Sequence, residues 1–142
     1  MQIDVNDTVL IVVGSELVPE EKDRPLGYEL KETLDPLGHP PYQRAIVVSD
    51  RWYVENELFQ VCPTIIIGGP GVNLAAAQFF QQIPIVWCEN DEAFLQLIIS
   101  AEKTHAAMWG VNQEATRRAM NAFSDKGYLQ QFLENIWPSA SL

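Results

Sequence analysis

Four short runs of apolar, largely β-branched residues recur along the chain and predict its strands. The predicted strands are residues 8–13, 44–49, 64–67 and 84–88. The third run reads TIII and shows no alternation of polar and apolar positions. Such a run is typical of a strand that is buried on both faces of a parallel sheet. The strand pattern therefore favours a sheet with both faces covered.

Segments with apolar residues at helical spacing separate and follow these strands. Leucines at spacings of four, four and three predict one apolar stripe on a helix that starts near Pro25 and ends at Gly38. The acidic stretch 15–24 before it predicts a long loop after the first strand. The other predicted helices are residues 51–59, 73–82, 91–109, 112–123 and 124–137. Strands alternating with helices in this way indicate the α/β class.

The alternation predicts a single domain over residues 1–142, built as a three-layer αβα sandwich. A four-stranded parallel sheet of flavodoxin-like or Rossmann-like order 2-1-3-4 accounts for the four strands. Residues 111–138 form a C-terminal helical extension in this scheme. In such an order the winding reverses between the first and third strands, and a crevice opens at their carboxyl ends.

The glycine-rich corner after the third strand, GGPGVN, is the main candidate for a site. A strand that runs through glycines into a helix points backbone N–H groups and a positive helix end at the carboxyl edge of the sheet. Asp50 follows the second strand, where it is expected to cap the next helix or to contact a ligand. The predicted ligand-binding residues are Gly14, Ser15, Asp50, Arg51, Gly68, Gly69, Gly71, Val72 and Asn73.

No known ligand-binding or catalytic motif makes the predicted site more specific. The corner lacks the third glycine of G-x-G-x-x-G and the Lys of a phosphate loop, and the chain contains no G-x-S-x-G elbow. The same glycines also suit a tight turn with no ligand. The identity of any cofactor is not indicated by the sequence.

The charge balance narrows the range of partners. Nine basic and nineteen acidic residues give a formal charge of −10, which repels nucleic acids and anionic membrane surfaces. We expect neither as a partner. The N-terminus lacks the basic region and the small-residue cleavage site of a secretory signal, so a cytoplasmic location is the default expectation.

Histidines and cysteines give weaker signals. His39 lies in a predicted loop, and His105 lies on the apolar stripe of the predicted helix 91–109, where a satisfied histidine is more usual than a ligand. No metal site is expected, because no second ligand lies at metal-site spacing. Cys62 and Cys88 are expected to be unpaired, since parallel pairing of the third and fourth strands would separate them by about 20 Å.

Residues 112–137 carry many aromatic and aliphatic side chains, although a four-stranded sheet has no room for two more helices. This surplus predicts a homodimer built through residues 91–137, with folding back onto the same chain as the alternative.

Three functions follow from these observations. The first is a domain that binds a small, anionic or nucleotide-like ligand at the glycine corner. The second is an oligomeric interaction module without a ligand. The third, less supported by the residues, is an enzyme that uses Asp50, Arg51 and Asn73.

Overall fold

The structure, a computed structural model, describes residues 2–138, without the side chains of residues 19 and 20. The strands are β1 (Val9–Val13), β2 (Ala45–Ser49), β3 (Thr64–Ile67), β4 (Ile85–Glu89), β5 (Ala93–Ile99) and β6 (Thr104–Gly110). The α-helices are α1 (Leu17–Leu34), α2 (Asp50–Glu55), α3 (Leu74–Phe79), α4 (Gln113–Asp125) and α5 (Tyr128–Ile136). Short 3-10 helices cover Asp35–Leu37, Glu57–Val61 and Phe80–Gln82.

The strands form one mixed sheet in the order β2-β1-β3-β6-β5-β4. The first four in this order are parallel to their neighbours, and β5 and β4 run antiparallel at one side. The predicted α/β class and the neighbours β2-β1-β3 are confirmed. The predicted four-stranded order 2-1-3-4 is wrong, because β6 rather than β4 pairs with β3.

The predicted helix 91–109 is a β-hairpin, and this is the cause of the wrong order. Residues 93–99 are apolar at every position except Gln96, so they match a helical period and an alternating period equally well. Asn90 and Asp91 adopt positive φ angles of 54° and 53°, which suit a tight hairpin turn rather than a helix cap. Ser100 and Lys103 close the second turn. His105 consequently lies on a strand.

Two helix starts also differ from their predictions. Helix α1 begins at Leu17, so the predicted loop 15–24 is largely helical and Pro25 lies inside the helix. Helix α5 begins at Tyr128 rather than Ser124, because Gly127 at φ 86° separates it from α4. Two predicted starts are confirmed, since Asn73 and Asn112 are the N-caps of α3 and α4.

The core lies in two clusters, one on each face of the sheet. Val9, Ile11 and Val13 of β1 pack in the cluster that contains α1, α4 and α5. Leu10 and Val12 pack in the cluster that contains α2 and α3. Alternate residues of one strand thus enter opposite cores, as the period of two in a strand requires. Helices therefore cover both faces of the sheet.

The C-terminal helices pack on the sheet of their own chain. Phe123 and Phe132 are fully buried and lie edge to face, with ring centroids 6.0 Å apart. Trp137 is also fully buried, and its indole N–H donates to the backbone oxygen of Asp7 at 2.6 Å. The apolar surplus that motivated the dimer prediction is therefore covered within the chain. The sheet has room for these helices because β5 and β6 widen it.

Cys62 is buried and Cys88 is exposed, and both are free, which confirms the prediction of unpaired cysteines. The argument from neighbouring strands was nevertheless wrong, because β4 and β3 are not paired. Within residues 2–138, no helix is long and apolar enough to cross a membrane.

Replacing Trp137 by Ala tests the packing of the C-terminal segment. We expect a loss of about 3–5 kcal/mol in the free energy of unfolding, because the change leaves a large cavity and frees the Asp7 carbonyl. Urea denaturation measures this loss. Ile85→Ala is the matched control, since Ile85 is 49% exposed on the edge strand. Equal losses in the two variants would contradict the described packing.

Candidate functional site

Two adjoining clefts lie at the carboxyl edge of the parallel strands, and the side chain of Val72 borders both. The Asp50 cleft has a volume of about 210 Å³ and is lined by Ser15, Glu16, Asp50, Arg51 and residues 70–74. The Asp23 cleft has a volume of about 110 Å³ and is lined by Val18, Lys22, Asp23, Gly68, Gly69, Val72, residues 110–113 and Thr116. These clefts are the candidate site.

Asp50 is buried, and both oxygens of its carboxylate accept hydrogen bonds from the chain. Oδ1 accepts from the Ser15 hydroxyl and the Arg51 amide, each at 2.8 Å. Oδ2 accepts from the Leu74 amide at 2.8 Å. Asp50 thus caps α3 from across the sheet edge rather than its own helix. The N-cap of α2 is Ser49, whose hydroxyl oxygen accepts from the Trp52 amide.

Asn73 uses all of its side-chain hydrogen-bonding capacity at the same edge. Its Oδ1 accepts from the amides of Ala75 and Ala76 at 2.9 and 3.1 Å. Its Nδ2 donates to the carbonyls of Val12 and Ile67 at 3.2 and 3.1 Å. The side chain therefore ties the ends of β1 and β3 to the start of α3.

The glycine corner offers fewer free donors than the sequence suggested. The amides of Val72 and Asn73 donate to the Gly69 carbonyl at 3.1 and 3.0 Å. The amides of Gly69 and Gly71 find no acceptor within the described residues. Because the Val72 and Asn73 amides are bonded within the corner, only the Gly69 and Gly71 amides remain as donors for an anion among residues 69–73.

The predicted site residues divide between the two clefts. Ser15, Asp50, Arg51, Gly71, Val72 and Asn73 line the Asp50 cleft, and Gly68, Gly69 and Val72 line the Asp23 cleft. Gly14 is buried and lines neither. The Arg51 guanidinium is largely exposed and lies 3.6 Å from the Glu16 carboxylate.

Asp23 is the site residue that the sequence analysis missed. It is only 7% exposed, and its carboxyl group has no hydrogen-bond or ion-pair partner within the described residues. Burial raises its pKa from the ordinary value of 3.8 to about 6, although the neighbouring Lys22 partly opposes this. A β-carbon on Gly68 would lie 2.9 Å from Oδ2 of Asp23. Glycine at position 68, with φ at 115°, thus leaves space for the carboxyl group.

One signal in the sequence indicates Asp23. It lies three residues before Leu26 and seven before Leu30, on the stripe that faces the core. Charged residues on such a stripe are almost never fully buried without a partner. The sequence analysis did not recognise this position, because residues 15–24 were predicted to be a loop. Asp23 lies on the apolar stripe of α1 only when the helix begins at Leu17.

Exposed apolar side chains surround the two clefts. They are Val18, Val72, Leu74 and Val111. Val111 is 65% exposed and Val18 is 56% exposed, although the adjoining core residues are fully buried. The edge therefore combines an apolar rim with a few fixed polar groups.

His105 is a second buried titratable group, but it lies at the amino end of β6, away from the clefts. It is 1% exposed, and its Nε2 lies 3.2 Å from the Gln60 carbonyl oxygen. Burial lowers its pKa to about 4, so the ring is neutral at physiological pH. Among the described residues, no three His, Cys, Asp or Glu side chains are grouped so as to hold a metal ion.

Comparison with known proteins adds no assignment. No protein-family model matches the chain, and no curated protein or solved structure matches it. The site must therefore be interpreted from its own chemistry.

The raised pKa of Asp23 predicts a pH-dependent change in stability. Between about pH 4 and pH 6 the folded chain keeps a proton that the unfolded chain releases, so Asp23 lowers stability as pH rises. We expect Asp23→Asn to match the parent chain near pH 4. At about pH 7 it should be more stable by up to about 3 kcal/mol, because the buried charge is removed.

Urea denaturation of both proteins across this pH range provides the measurement. His105 acts with the opposite sign, because its lowered pKa makes stability fall as the pH drops from about 6.5 to about 4. Both proteins share this effect, so the difference between them isolates Asp23. Asp125→Asn, which removes a carboxylate from an exposed position, is the control. If the difference in unfolding free energy between Asp23→Asn and the parent chain does not change with pH, the raised pKa is contradicted.

Proposed function

We propose that this chain is a small-molecule-binding domain and that its site is the carboxyl edge around Val72. The observation that carries this proposal is the buried, unpartnered carboxyl group of Asp23 beneath a rim of exposed apolar side chains. Small-molecule sites commonly combine apolar walls with a few placed polar groups. Marginal stability makes a buried charge without a partner costly to keep, so a role in binding explains it.

The topology supports the same location. Helix α1 follows β1 on one face of the sheet, and α3 follows β3 on the other. The winding therefore reverses between β1 and β3, as in flavodoxin-like and Rossmann-like sheets, where ligands bind at this point. Both clefts lie at these carboxyl ends.

An anionic or nucleotide-like ligand fits this edge less well than the glycine corner suggested. The first amides of α3 already donate to Asp50 and Asn73, so a phosphate would have to displace them. The carboxylate of Asp23 and the formal charge of −10 also repel anions. The ligand that we propose is uncharged or cationic near Asp23.

Binding is also a better explanation than catalysis or assembly. The polar atoms of Asp50 and Asn73 are occupied within the chain, and Arg51 lies near Glu16, so these residues offer no free acid, base or nucleophile. The aromatic residues that suggested an oligomer are buried against the chain's own sheet.

Blocking the shared wall of the two clefts tests the proposal. Val72→Trp would fill space on both sides of this position, whereas Val61→Trp adds the same bulk at the opposite end of β3, where Val61 is 61% exposed. A thermal-shift screen of amines, nucleosides, sugars and sugar phosphates should raise the midpoint of the parent chain and of Val61→Trp. At a ligand concentration of a hundred times Kd, the free energy of unfolding rises by about 2.7 kcal/mol. This rise increases the midpoint by roughly 5–10 °C.

The same compounds should not raise the midpoint of Val72→Trp. Equal shifts in all three proteins would place binding elsewhere and contradict the proposal. A screen in which no compound shifts the parent chain would contradict it as well.

A further inference from the structure

We propose that Asp23 is the counter-ion for a cationic group, so that the Asp23 cleft recognises the amine or guanidine end of a small organic cation with an apolar body. This inference rests on the proposed function and specifies the chemistry of its ligand. It follows from three features of the cleft: an acceptor without a donor, room for a cationic group and an apolar rim.

The chain itself supplies no donor for the Asp23 carboxylate within the described residues. Lys22 lines the same cleft, but adjacent helical residues do not face each other, and no ion pair joins the two side chains. The Gln113 amide, on the facing helix α4, donates to the Lys22 carbonyl at 3.0 Å. The Thr116 hydroxyl donates to the Asn112 carbonyl at 3.2 Å. These two side chains thus donate to backbone carbonyls rather than to Asp23.

The Asp23 cleft has room for a cationic group. Its volume of about 110 Å³ accommodates an ammonium or guanidinium group. The remainder of the ligand would lie outside, against Val18, Val72 and Val111. A short alkyl chain suits these side chains.

The electrostatic surroundings favour a cation. The first turn of α4 borders the cleft, and the positive end of its dipole opposes a cation, whereas the Asp23 carboxylate attracts one. Lys22 is the other titratable group that lines the cleft, and it is exposed to solvent. The formal charge of −10 attracts cations to the surface as a whole. A bound cation would satisfy the carboxylate and release its proton.

Binding should accordingly depend on pH. A cation favours the charged form of Asp23, so binding below about pH 6 requires the carboxyl group to lose its proton first. Affinity should be constant above about pH 7 and fall up to tenfold for each pH unit below about pH 6. The affinity for an uncharged ligand would not fall in this way as the pH is lowered.

Four probes with the same alkyl chain test the inference: butylamine, butylguanidine, butanol and butyrate. Their affinities for the full chain are measured by chemical-shift titration of the valine methyl groups, at about pH 5 and about pH 7. We expect the two cations to bind at least tenfold more tightly than butanol and butyrate at the higher pH, and to shift the methyl signals of Val18, Val72 and Val111.

Asp23→Asn keeps the shape of the side chain and removes its charge, and this variant is expected to be folded and stable. It should lose the preference for the cations, whereas Asp125→Asn should keep it. If cations bind Asp23→Asn as tightly as the parent chain, the inference is overturned.

The outcome also separates this inference from the proposed function. If butanol binds as well as butylamine, and Val72→Trp abolishes both, the carboxyl edge binds small molecules but Asp23 is not a counter-ion. If no probe binds the parent chain at millimolar concentration and the wider screen also gives no shift, both proposals are overturned.

Discussion

The carboxyl edge of the sheet depends on the hydrogen bonds of Asp50 and Asn73. Asp50 joins Ser15, which follows β1, to the first amide of α3, and Asn73 joins carbonyls near the ends of β1 and β3 to the same helix. Both side chains are buried, so losing one partner would leave charged or polar groups without hydrogen bonds. These bonds hold the glycine corner in place, and they also occupy the donors that an anion would need.

Asp23 lines the neighbouring cleft, and its carboxyl group has no such hydrogen bonds within the described residues. The residue as a whole is buried to a similar degree, yet no group of the described chain binds its carboxyl oxygens, which face the cleft. The contrast is informative because the same edge shows that this chain can satisfy a buried carboxylate completely when its role is structural. A residue that breaks a local rule without compensation is most often found at a functional site.

The sequence predicted the elements whose patterns are local and unambiguous. The strand Thr64–Ile67 and the caps Asn73 and Asn112 belong to this group. The hairpin of β5 and β6 was missed because residues 93–99 satisfy two periodicities, and pairing with β3 and β4 decides between them. Tertiary pairing is not visible in a local window. The sheet order failed for this reason.

The sequence analysis placed its candidate site at the sheet edge where the two clefts lie, but it did not include Asp23. Asp50 was recognised as a capping residue, but its partner Leu74 lies 24 positions away and could not be inferred from the spacing. Asp23 lay in the predicted loop 15–24. Its importance depends on Gly68, Val72 and Thr116, which the loop between β3 and α3 and the helix α4 bring to it.

The central claim is that Asp23 carries a buried carboxyl group without a partner from the chain. A carbon-13 NMR titration of its carboxyl signal measures this most directly, and Asp23→Asn assigns the signal. The account predicts a pKa of about 6 in the free protein, shifted downward when butylamine is bound. A pKa near the ordinary value of 3.8, unchanged by the amine, would contradict it.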